Sequence, residues 1–137
     1  RLAPSANNRQ NWKFIVVQDP VLIERMIALC YGQKFVGEAP VIIAACGKDP
    51  EGIMRCGQSR HTVDVSIAVS FIMLEAAEQG LGTCWLGSFD QEGVKKLLDI
   101  PDDYKIVAVT PLGYPDETPQ PRPRKKADEV ICFDRFR

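Results

Sequence analysis

The residues of this chain best suited to chemistry stand at its start, where "RLAPSANNRQNW" sets Pro4 and Ser5 beside Asn7, Asn8 and Gln10 and ends on Trp12. Amide and hydroxyl groups both donate and accept, so a loop of this composition can wrap the edge of a planar heterocycle and its polyol chain. Two further stretches can meet such a ligand. In "WLGS", Gly87 lacks the side chain that would hold a flat ring away from the backbone. In "RPRKK" (Arg122 to Lys126), dense positive charge can meet a phosphate, with arginine suited to forked contacts. A capping loop, a bulged strand and a solvated basic tail are the plain structural alternatives to these three roles.

Other chemistries find little support. The chain holds one histidine, His61, placed at a helix start where capping or solvation is the simple role. There is no GxSxG elbow, no phosphate-binding P-loop, no GxGxxG fingerprint and no carboxylate pair at a revealing spacing. An enzyme without its own acid–base constellation borrows its chemistry from a cofactor. The loop, the glycine and the basic stretch together fit a flavin better than a nicotinamide alone. The cysteines at 30, 46, 56, 84 and 132 are odd in number and include no CxxC pair, which argues against a disulfide framework and for a reducing, cytoplasmic setting. The spacing of Cys46, Cys56 and His61 matches no common zinc pattern, so no metal is expected.

These groups need a scaffold, and 137 residues suffice for one domain with a real core. Hydrophobic residues at 45% and charged residues at 26% are ordinary globular values, and a net charge of −1 gives no electrostatic reason to expect nucleic acid. No apolar run reaches the roughly 18 residues of a membrane helix, so no membrane partner is expected.

"WKFIVVQ" reads as a strand, and Asp19 with Pro20 as the cap and first turn of a helix over "VLIERMIALC". "APVIIAAC" reads as a strand covered on both faces, and Gly47 to Arg60 as a loop, either a surface connection or a substrate lid. In "HTVDVSIAVSFIMLEAAEQGLG", helical spacing gathers Asp64, Glu75, Glu78 and Gln79 into one polar stripe. Val65, Ile67, Val69, Phe71, Ile72, Met73 and Leu74 cover the rest, so this helix is expected to be buried on more than one side, against its sheet and a partner subunit. "TCWLGSF" reads as a short interrupted strand, Asp90 as the cap of a helix to about Asp99, and "KIVAVTPLGYP" as a strand. The proline-rich "DETPQPRPRKK" should lie extended, with a last strand at "EVICFD".

In this order and spacing, "RLAPSANNRQNW" with "KFIVV", "EAPVIIAACG", "AAEQGLGTCWLGSF", "LLDIPDDYKIVAVTPLGYP" and "PRPRKKADEVI" resemble the nitroreductase family of FMN-dependent oxidoreductases. The resemblance spans nearly the whole chain. It implies an α+β fold, a three-layer sandwich with a mixed, mainly antiparallel sheet and a long buried central helix. It further implies a homodimer with two FMN sites shared between subunits, NAD(P)H as reductant, and nitroaromatics, quinones or similar small molecules as acceptors in a ping-pong cycle. Matched by position, Pro4, Ser5 and Asn8, with Ala6 between them and Gln10 following, are implied to line the flavin from one subunit. Leu86 and Gly87 match the backbone donor to flavin N5, and Arg122 and Arg124 the phosphate contacts; no side chain is implied as catalytic.

Asn11 stands where the family pattern has proline. The family's upstream helix and Arg-Arg-Ser segment have no counterpart before Arg1, so residues 1–137 are expected to form one domain incomplete at its N-terminus. Two alternatives stay open: a flavin-binding or partner-binding dimeric scaffold without turnover, and a flavin-cleaving or reductively dehalogenating relative, distinguished by the loop at 47–60.

Overall fold

β-branched and aromatic residues at Trp12–Val17 form the first strand, β1, which pairs with β2 (Val41–Lys48). Between them lie α1 (Pro20–Leu29) and a single turn, α2 (Phe35–Glu38). Asp19 starts α1 as expected: its Oδ1 accepts from Val21 N at 2.8 Å and Leu22 N at 3.4 Å, satisfying two otherwise orphaned donors. The long helix α3 covers Arg60–Glu78, followed by β3 (Gly82–Thr83), α4 (Gln91–Leu97), β4 (Tyr104–Gly113) and a final turn, α5 (Ala127–Val130). This is a computed structural model, and it describes residues 1–136.

The sheet runs β1-β2-β4-β3, and every pairing among the described residues is antiparallel. Helices cover both faces, which makes the expected α+β three-layer sandwich. On one face α1 and α4 close over Val17, Ile42, Cys46, Ile106 and Val109, burying Ile23, Met26 and Val94 against them. On the other, α3 packs Val65 and Val69 on Ala45, with Trp12, Phe14, Met73 and Val107 at the margins. A register shift lets both Ile106 and Val109 point into the α1 side: Ala45 opposes Ala108 but Cys46 opposes Ile106, so Val107 is an extra residue. The start of α3 lies almost on β2 because residue 47 is glycine; an added Cβ there would come within 2.7 Å of His61 Cβ.

Within the single chain α3 is buried on its sheet side, with Phe71 47% and Leu74 70% exposed on its outer flank, where a partner subunit was expected. Three expectations are corrected. Asp64, assigned to a polar stripe, is only 4% exposed. The "TCWLGSF" strand is two fragments, β3 and an isolated bridge from Leu86 to Val109, separated at Cys84 and Trp85. The last strand is absent, and 127–130 is α5 instead. Lys126 N donates to Glu129 Oε1 at 2.8 Å and Ile131 N to Ala127 O at 2.8 Å, so local capping decides where no sheet edge is paired. The proline-rich residues 114–126 do lack regular structure and lie exposed. Residues 49–59 fold back on themselves, with Met54 N on Gln58 O at 2.8 Å, and are closed at the base by Arg60 Nη1 on Asp49 Oδ2 at 2.9 Å.

Candidate cofactor site

The amide-rich loop is a folded object, not a frayed end. Ala6–Asn8 form a 3-10 turn closed by Asn8 N on Ser5 O at 2.9 Å, and Gln10 N donates to Ser5 Oγ at 3.0 Å. Asn7, Asn8 and Gln10 have φ of 54°, 53° and 51°, a left-handed backbone that asparagine tolerates better than most residues. Gln10 Nε2 donates to Asn8 Oδ1 at 3.1 Å, so the two side chains meet on the exposed surface. Pro4 is exposed, Ser5 and Ala6 are half-buried, and Ala6 N donates to Asp64 Oδ1 on α3 at 3.0 Å. Sequence reading placed Asp64 in a polar stripe and missed its burial against this loop. Helical spacing puts it on one stripe with Glu75, eleven residues and about three turns on, but the N-terminal loop covers the first half of that stripe and leaves the second in solvent.

At Leu86 and Gly87 the structure separates two neighbours that sequence treats alike. Leu86 is buried and spends both backbone groups on Val109, at 2.9 and 3.1 Å. Gly87 is exposed, its N–H has no partner among the described residues, and a Cβ added there would meet nothing within 4 Å. The segment around it is held from both sides: Gln33 Nε2 donates to Ser88 O at 3.2 Å and Asp90 N to Leu29 O at 2.7 Å. An open donor on a pinned backbone is pre-oriented for a ligand atom.

Arg122 and Arg124 lie in the exposed, irregular segment after β4. Among the described residues no hydrogen bond links the loop at residues 4–10, Leu86 and Gly87, and the two arginines to one another. Two open cavities make the same point. One, of about 390 Å³, runs along α3 under Leu2, Phe71, Ile72 and Leu112; the other, of about 870 Å³, lies between Phe35, Cys84, Tyr114 and Pro119. Neither is lined by residues 4–10, by Leu86 or Gly87, or by the two arginines.

The histidine is occupied and the two buried thiols are quenched. His61 sits between Ser59 Oγ at 2.9 Å from Nδ1 and Thr62 Oγ1 at 3.3 Å from Nε2. Its pKa is held below the ordinary value by burial first, then by Lys105, with Asp49 and Glu51 opposing. Burial pushes the Cys46 thiol up to about 11 and raises Cys30 as well, so both are protonated at neutral pH. Among the described residues no group of three His, Cys, Asp or Glu is placed to hold a metal ion. No helix of those residues is long and apolar enough to cross a membrane.

Known proteins share this fold. The family model described as the nitroreductase family matches residues 27–114. A protein of Archaeoglobus fulgidus provisionally named an NADH dehydrogenase/NAD(P)H nitroreductase is 36% identical over 121 residues, covering 85% of this chain and 68% of the relative. One of the same designation from Methanothermobacter thermautotrophicus is 32% identical, covering 93% of this chain and 67% of the relative. The crystal structure of a nitroreductase family protein from Clostridium novyi superposes with a TM-score of 0.79 at 33% identity, over 85% of this chain and 68% of that one. With the family model spanning more than half of its residues and the same sandwich in its solved relative, this chain belongs to the nitroreductase family.

Proposed function

We propose that the chain binds FMN and acts, as a homodimer, in an NAD(P)H-dependent oxidoreductase that reduces nitroaromatic, quinone or similar small acceptors. The observation that carries the cofactor reading is Gly87, whose N–H has no partner among the described residues and whose Cα has open space where a side chain would stand, on a backbone pinned by Val109 and Gln33. Asn8 and Gln10 add exposed amides that keep donors and acceptors to spare beyond their mutual bond. Family membership and the names of the relatives supply the reaction class.

Bound FMN supplies the two-electron chemistry between a reduced nicotinamide and the acceptor. The chain's own part is to bind and orient. Gly87 N–H is the donor toward the reactive ring nitrogen, since Leu86 N–H is spent in the sheet. Pro4, Ser5, Ala6, Asn8 and Gln10 flank the ring, and Arg122 and Arg124 neutralise the phosphate. His61 and the buried thiols take no part, because His61 is already engaged by Ser59 and Thr62 and Cys46 stays protonated. The uncovered apolar side of α3, with Phe71 and Leu74 exposed, supports a second copy of the chain as the surface that completes the site.

The test is a visible spectrum of the protein purified with FMN and freed of excess. A retained flavin spectrum that bleaches with NADH or NADPH and returns on adding a quinone is the expected result. A folded, colourless protein would overturn the proposal, and a bound flavin that neither cofactor reduces would leave a scaffold without turnover.

A further inference from the structure

Residues 1–10 bury Ala3 and make one hydrogen bond to the rest of the chain among the described residues, Ala6 N to Asp64 Oδ1 at 3.0 Å. All other polar contacts of this segment are local, as in Asn8 N on Ser5 O and Gln10 N on Ser5 Oγ. Three left-handed residues in four, at 7, 8 and 10, store conformational strain that persists only where surrounding contacts over-determine it. Local bonds can fix the shape of the turn. They cannot fix where the turn sits.

Asp64 can do so. It is 4% exposed, on the half of α3 that packs on β2, and so rides on one of the most constrained elements of the fold. Its Oδ2 is buried without a partner. The bond to Ala6 N is thus the one hydrogen bond that the Asp64 side chain makes among the described residues. We infer that Asp64 is a positioning residue: it holds Ala6 N–H so that Ser5, Asn8 and Gln10 stand where the flavin must be met. This inference rests on the cofactor reading above, but the anchoring half of it can be measured without any cofactor.

The experiment compares Asp64→Ala, Asp64→Asn and Ala6→Pro with the parent chain by amide hydrogen exchange and by FMN titration, following quenching of flavin fluorescence. Asp64→Ala is expected to speed exchange in residues 5–10 tenfold or more, leave β2 and β4 protected, and weaken FMN binding at least tenfold. Asp64→Asn keeps an oxygen acceptor and is expected to restore most of both. Ala6→Pro removes the donor at the first position of the 3-10 turn, after an extended Ser5 that tolerates a following proline. It should reproduce the loss without touching α3, and so serves if Asp64→Ala fails to fold.

Unchanged loop exchange in Asp64→Ala and Ala6→Pro would overturn the anchor. A released loop with unchanged FMN affinity would overturn the positioning role while leaving the cofactor proposal standing. A parent chain that takes up no FMN, with the loop still released by the variants, would overturn the cofactor reading and the positioning role together.

Discussion

On the α1 side of the sheet, Met26, Cys30, Val36, Ile42, Val94 and Val109 are all closed to solvent. On the α3 side only Ala45, Val65 and Val69 are buried as a cluster, and the outer flank of the helix leaves Phe71 and Leu74 bare. Both sides are apolar in sequence, yet one is finished within the chain and the other is not. The finished side supplies stability and pins the Leu86–Asp90 segment through Leu29 and Gln33. The unfinished side carries the amide-rich loop, held to α3 by Asp64. The proposed homodimer would divide its labour this way, with contact residues placed where a second copy can reach them.

The comparison breaks most readily at its centre. Met26→Ala should cost about 2–5 kcal/mol of unfolding free energy, the usual range for truncating a fully buried side chain, as measured by urea denaturation. A loss well below 1 kcal/mol would mean that the α1 side is not the dominant core. Leu74→Glu tests the opposite side. Analytical ultracentrifugation should show self-association of the parent chain and a shift to monomer in the variant, with the far-UV spectrum unchanged. A parent chain that is monomeric at high concentration would remove the partner from the argument.

Smaller effects sharpen the picture. Arg124→Ala should weaken FMN binding about tenfold, the order of one charge-assisted hydrogen bond, and flatten its salt dependence; equal affinity would move the phosphate contact elsewhere. The smallest effect concerns His61, whose pKa is lowered on folding. The unfolded chain then takes up the proton first as pH falls below about 6.5, so stability should decline through that window and level off once the folded form is protonated too. His61→Gln should flatten this slope, and an unaltered pH profile would show that the burial of His61 does not bear on stability.

Much of the scaffold was legible beforehand because its signals are local. Asp19 with Pro20 and Asp90 mark helix starts that side-chain caps enforce. The run at 39–46 is continuously apolar and too short for a typical helix, and from Val41 it became a central strand buried on both faces. Less was legible where a residue's role depends on what lies over it. Leu86 and Gly87 are adjacent, but pairing to Val109 consumes one donor and leaves the other. At 129–134 the β-branched and aromatic residues favour a strand, but they pair with no strand of the sheet and the Glu129 bond at Lys126 decides for a turn.

The sequence by itself determined the periodicities: where helices and strands begin, which residues share a stripe, and which polar groups crowd into the first ten positions. Periodicity, however, describes a helix surface and not its cover. Asp64 and Glu75 lie on the same stripe of α3, and only the tertiary structure decided that one is buried under Ala6 while the other stays in water. The reason is that burial belongs to pairs of elements brought together from 58 residues apart, and no local pattern encodes the partner.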